Sequence, residues 1–92
     1  MFKKRRGIKL SYNKQGLIYF TCMNYRDLPD DVVRKISVLC NEVGKEHALV
    51  LFEVMTNSSK SIRALALENH ISETQLYHYR KKFYEEWERT SI

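Results

Sequence analysis

The sequence predicts an all-α fold of four to five short helices with a helix-turn-helix at its C-terminal end. Three observations carry that expectation. A single Pro and three Gly in 92 residues leave few break points. Apolar residues recur at helical spacing through most of the chain beyond Leu28. Finally, Ser61–Trp87, SIRALALENHISETQLYHYRKKFYEEW, reads as two short amphipathic stretches separated by His70-Ile71-Ser72.

The apolar fraction of 43% supports a packed core and argues against wholesale disorder. The expected organisation is a flexible basic arm at residues 1–7 and one helical domain at residues 8–92, with the helix-turn-helix at about 61–88. So short a chain buries limited apolar surface, and pairing with a second copy would add stability.

Residues 8–25 are ambiguous. Ile8, Leu10 and Tyr12 alternate as in a strand, and Asn13–Gly16 suits a turn, so an N-terminal β-hairpin is one reading. A helix over Asn13–Tyr25 is the favoured one, because Leu17, Phe20, Thr21 and Asn24 fit helical spacing and a lone hairpin is only marginally stable. Ser11 or Asn13 would cap it. Leu28–Val43 is clearer. Pro29 suits a first turn, and Asp30 and Asp31 favour the positive helix start. Val32 or Val33, Ile36, Leu39, Cys40 and Val43 form one apolar stripe, and Gly44 is placed to end the helix in a left-handed conformation. A helix over Glu46–Met55 is expected to bury Ala48, Leu49, Phe52 and Met55, followed by a polar loop, Thr56–Lys60.

Ser61 is expected to cap a helix over Ile62–Asn69, with Ile62, Leu65 and Ala66 inward. Ala66 is the small residue needed where two helices cross. His70 falls where the turn needs a left-handed residue, a conformation His tolerates better than most non-Gly residues. Ile71 plugs the core. Ser72 caps the last helix, and Gln75 three residues later completes a capping box. Leu76, Tyr79, Phe83 and Trp87 share the face that holds this helix down.

Charge placement points to a polyanionic partner. The net charge is +5, and Met1–Arg26 holds seven basic residues (Lys3, Lys4, Arg5, Arg6, Lys9, Lys14, Arg26) with no acidic one. On the last helix, Thr74, His78 and Lys81 lie opposite the anchored face, flanked by Gln75 and Lys82. The N-terminal part of a recognition helix meets base edges, which makes Thr74, Gln75 and His78 candidates for base contact, with Tyr77 to one side. Gln pairs bidentately with adenine, and Thr meets a thymine methyl. Arg80, Lys81 and Lys82 are then candidates for phosphate contact, and Lys3, Lys4, Arg5 and Arg6 for an arm on phosphates or in the minor groove. The acidic final turn, Glu85, Glu86 and Glu88, is expected to point away from a duplex.

Other chemistries find little support. His47, His70 and His78 form no metal box, and neither Cys22 nor Cys40 sits in a CxxC pair, so no metal or cofactor is expected. No catalytic set is visible, so the chain does not read as an enzyme. The cysteines, each in an apolar run, are expected to be buried free thiols of a cytoplasmic protein. No apolar run reaches the length of a membrane span. The aromatics Tyr12, Tyr19, Phe20 and Tyr25 could stack on single-stranded bases, but core packing is the favoured role.

The run SIRALALENHISETQLYHYRKKF resembles the helix-turn-helix of transposase DNA-binding subunits, with its S…LA…ISE-T-LY-RKK pattern. If that likeness carries over, Ser72–His78 match its reading segment, although a chain without a catalytic domain could not transpose alone. Over most of its length, LIYFTCMNYRDLP…KI..LC.E.G.EHALVLFEVMT…RKKFYEEW, the chain is similar to small helix-turn-helix proteins of prophages and integrated mobile elements in low-GC Gram-positive bacteria. These resemblances imply a double-stranded DNA-binding protein that regulates transcription of phage or element genes. A homodimer on paired half-sites is expected, with either the Tyr19–Tyr25 or the Phe83–Trp87 region as its interface. The alternative is a small phage-type adaptor or inhibitor that binds a host protein.

Overall fold

The fold is all-α. A computed structural model describes Lys4, residues 7–57 and residues 59–89, and they form five helices: α1 Tyr12–Met23, α2 Asp30–Gly44, α3 Ala48–Thr56, α4 Ile62–Glu68 and α5 Glu73–Arg89. Single 3-10 turns at Tyr25–Asp27 and Lys45–His47 link α1 to α2 and α2 to α3.

Within residues 8–25 the chain forms helix over Tyr12–Met23, after a non-helical lead-in, and no strand occurs among the described residues. Ser11 starts α1, its Oγ accepting the Lys14 N–H at 3.2 Å. The lead-in segment is held by a side chain where a hairpin would use a partner strand. The buried Gln15 amide donates to the Leu10 carbonyl at 3.1 Å and the Ile8 carbonyl at 3.5 Å, while Ile8 enters the core. The face of α1 that turns inward carries Gln15, Ile18 and Cys22. This corrects the expected spacing: Leu17 and Phe20 lie on the outer face, 67% and 52% exposed. Tyr12 is also exposed, and Tyr19 and Tyr25 are half-buried, so core packing accounts for only part of this aromatic group.

α2 presents Ile36, Leu39 and Cys40 to the core as its stripe predicts, and Pro29 stands at its N-cap. Gly44, however, is right-handed at φ −83° and ψ −22°, still helical. The positive φ falls on the next residue, Lys45, at φ 51° and ψ −117°. Gly44 serves a close approach instead, since a Cβ there would meet Leu51 Cδ2 at 3.3 Å and Leu51 Cβ at 3.4 Å. A lysine in a backbone region that favours glycine is strained by about 1–3 kcal/mol. Lys45→Gly should therefore raise folding stability by about 1 kcal/mol, the strain relief exceeding the added entropy of the unfolded chain. Chemical denaturation measures it, and a loss of stability would mean that Lys45 is unstrained.

α3 starts at Ala48, two residues later than expected, because Lys45–His47 forms a 3-10 turn. Its inward residues are Leu51 and Met55, with Phe52 and Ala48 half-buried. Leu49, expected inside, is 85% exposed.

α4, capped by the Ser61 Oγ accepting the Ala64 N–H at 3.1 Å, buries Ile62, Leu65 and Ala66. It ends in a Schellman motif: the Ile71 N–H donates to the Ala66 carbonyl at 3.1 Å and the His70 N–H to the Leu67 carbonyl at 3.5 Å. His70 takes the left-handed place at φ 54°. The chain from 61 to 89 is thus two helices and a turn.

Two clusters make the core. Ile8, Ile18, Cys22, Ile36, Leu39, Cys40, Leu51, Met55, Phe83 and Tyr84 form the first. Ile62, Leu65, Ala66, Ile71 and Leu76 form the second, and Tyr79 packs against both. α5 therefore bridges the molecule, its N-terminal half seated on α4 and its C-terminal half among α1, α2 and α3. Both cysteines are free and buried, and burial pushes each thiol up to about 12.

Candidate nucleic-acid interface

The outer face of α5 follows from helical spacing. Leu76 and Phe83 are fully buried, with Tyr79 and Trp87 half-buried beside them. Tyr84, which the expected anchor set omits, is also buried and broadens that face. Trp87 packs on Phe83 at 5.8 Å between ring centroids and takes Lys35 Nζ over its ring at 4.0 Å. Positions 74, 78, 81 and 85 then fall on the opposite side, as i, i+4, i+7 and i+11.

The structure leaves Thr74, Gln75, Tyr77, His78 and Lys82 exposed, and Arg80 and Lys81 half-buried. The helix start is fixed by Ser72, whose Oγ accepts the Gln75 N–H at 3.0 Å. The other half of the expected capping box does not form. The Gln75 side chain runs forward one turn, and its Nε2 donates to the Tyr79 hydroxyl at 2.8 Å. Thr74 to Lys81 spans about 10 Å along the axis at 1.5 Å per residue.

The candidate cations separate into two groups. Lys81 and Lys82 form no ion pair among the described residues. Arg80 lies round toward the body, its guanidinium 4.9 Å from the Tyr77 ring and beside a cleft lined by Tyr19, Lys60 and Tyr84. Tyr77 thus carries Arg80 on its ring. Of the basic arm, Lys4 is exposed, while Lys3, Arg5 and Arg6 lie outside the described residues.

The acidic end of α5 needs correction at one position. Glu85 continues the Thr74–His78–Lys81 stripe and does not turn away from it. It is half-buried, and its Oε2 accepts the Lys9 N–H at 3.4 Å. Glu86 pairs with Arg89 at 3.0 Å and Glu88 with Lys14 at 3.7 Å. These contacts partly neutralise the acidic turn and join it to the basic start of the chain. Glu85 stands about 10 Å beyond His78 along the axis, past the first two turns that enter a groove.

Two features escape sequence reading. The Gln75–Tyr79 bond has a legible signal, the i, i+4 spacing of an amide and a phenol. The contact of Tyr79 with His47, Oη to Nδ1 at 3.2 Å, joins residues 32 positions apart and has none.

Elsewhere, an open cleft of about 640 Å³ lies between the end of α1 and α3, lined by Tyr19, Phe20, Tyr25, Arg26, Phe52 and Glu53 among others. In the Phe83–Trp87 region Phe83 and Tyr84 are buried, while Glu85, Glu86 and Trp87 are half-buried. Among the described residues, no three His, Cys, Asp or Glu side chains are grouped to hold a metal ion, and no helix is long and apolar enough to cross a membrane. The chain matches no protein family, no curated protein and no solved structure.

Proposed function

We propose that the protein binds double-stranded DNA sequence-specifically through a helix-turn-helix made of α4 and α5, as a transcriptional regulator of a prophage or mobile element. The observation that carries this reading is the arrangement of α5. Its apolar side is held by both core clusters, while Thr74, Gln75 and His78 stand exposed at its N-terminal end, with Lys81 and Lys82 behind them, neither in an ion pair among the described residues. A helix so placed can present polar groups to base edges and cations to the flanking phosphates. The Schellman turn and the Ser72 cap give the short, fixed connection that such a unit needs. A single unit binds weakly, so a homodimer on paired half-sites completes the proposal, with the exposed Leu17–Phe20 side of α1 as the available apolar surface.

That same surface favours a second reading. Phe20 lines the 640 Å³ cleft, and exposed Leu17 is three residues before it on α1; an adaptor that binds a host protein would use such a place. Selection of bound sequences from random duplex DNA separates the two. DNA reading predicts an enriched motif; retention of duplexes without enrichment, at low salt only, supports the adaptor.

A further inference from the structure

We propose that Tyr79, itself held by His47, is a positioning residue that sets the Gln75 carboxamide to select adenine; this rests on the duplex-reading proposal above. Gln75 is exposed on α5, and an exposed glutamine ordinarily samples many rotamers. Here its Nε2 donates to the Tyr79 hydroxyl at 2.8 Å, and that hydroxyl lies 3.2 Å from His47 Nδ1. A phenol has one proton to give and can accept as well. With Gln75 donating into the oxygen, the contact with Nδ1 closes in either tautomer: the phenolic O–H donates to a bare Nδ1, or Nδ1–H donates to the same oxygen. The three groups then form one hydrogen-bonded chain, Gln75 to Tyr79 to His47, with the Gln75 amide at its exposed end.

The chain has a rigid base. Tyr79 packs against both core clusters, so its ring cannot follow the glutamine. His47 comes from the turn between α2 and α3, an element separate from α5, and its ring lies 5.9 Å from that of Tyr79, tilted by 37°. The Tyr79 bond consumes one of the two Gln75 amide hydrogens. The second hydrogen and Oε1 remain, one donor and one acceptor. That pair matches N7 and the N6 amino group of adenine, whereas guanine offers two acceptors at the same places. A held amide keeps its donor and acceptor in fixed order and cannot swing to suit another base.

The test is the duplex selection, run in parallel on the full chain, Tyr79→Phe, Gln75→Ala and the double variant. Phe keeps the packed ring and removes only the hydroxyl. Wild type should enrich a motif with a required adenine that Gln75→Ala relaxes. Tyr79→Phe should relax that same position by roughly threefold to tenfold, the cost of ordering one free side chain on binding. Other positions and the salt dependence should stay as they were, and Tyr79→Phe should add nothing to Gln75→Ala. A motif whose adenine is indifferent to Tyr79→Phe overturns the positioning role and leaves duplex reading intact. No motif from the wild type defeats the reading itself, and the positioning role with it. If Tyr79→Phe does not fold, NMR relaxation of the Gln75 side-chain amide in the full wild-type chain carries the test: an amide as rigid as the backbone supports the positioning role, and one that reorients freely overturns it.

Discussion

Phe83→Ala is expected to remove about 3–5 kcal/mol of folding stability. The residue is fully buried, and it sits in the cluster that joins α1, α2, α3 and α5. Truncation leaves a ring-sized void that surrounding helices cannot close, because Ile36, Leu39 and Leu51 are also fixed in dense packing. A domain of this size has only about 5–15 kcal/mol in total, so the variant should melt some 15–30 °C lower, or fail to fold. Thr74→Ala on the opposite face should change stability by no more than about 0.5 kcal/mol. Thermal melts followed by circular dichroism compare the two. Equal effects would mean that α5 is not clamped by its apolar side, and the exposed stripe would lose its physical basis.

Lys81→Ala combined with Lys82→Ala is expected to weaken duplex binding by roughly tenfold to thirtyfold near physiological salt, with the salt slope falling by about two. Neither lysine forms an ion pair among the described residues, so their removal breaks no internal pair and leaves the fold in place. The loss should be uniform across sequences, because phosphate contacts carry no base information. Titrations of one duplex at several salt concentrations read both quantities. Binding that ignores both the substitutions and the salt would favour the adaptor reading and its α1–α3 cleft.

What the sequence makes legible, and what it hides, follows from how each helix is partnered. α2 and the segment from Ser61 onward have polar and apolar residues at distinct helical positions, so most of their inward faces and the Ser61 and Ser72 caps can be placed from spacing alone, though not the end of α2 or the buried Tyr84. α1 and α3 cannot be read that way. LIYFTC and ALVLF are apolar on most sides, and which side turns inward is decided by the neighbours packed against them. In α3 that neighbour is Gly44, whose missing side chain admits Leu51 and leaves Leu49 outside. Gly44 itself stays helical, and the positive φ falls on Lys45. Near the candidate site, cap and stripe are local and therefore visible. The Glu85 contact with Lys9 and the His47 contact with Tyr79 are tertiary, and no local pattern announces them.

On the proposed function, the polar side of α5 is the surface that meets DNA. Backbone amide resonances of the full chain, followed by NMR as a selected duplex is added, test it most directly. The largest shifts are expected over Ser72–Lys82, with little change at the α1–α3 cleft. Shifts concentrated at Tyr19–Asp27 and Phe52–Asn57, with Thr74, Gln75 and His78 unmoved, would contradict it.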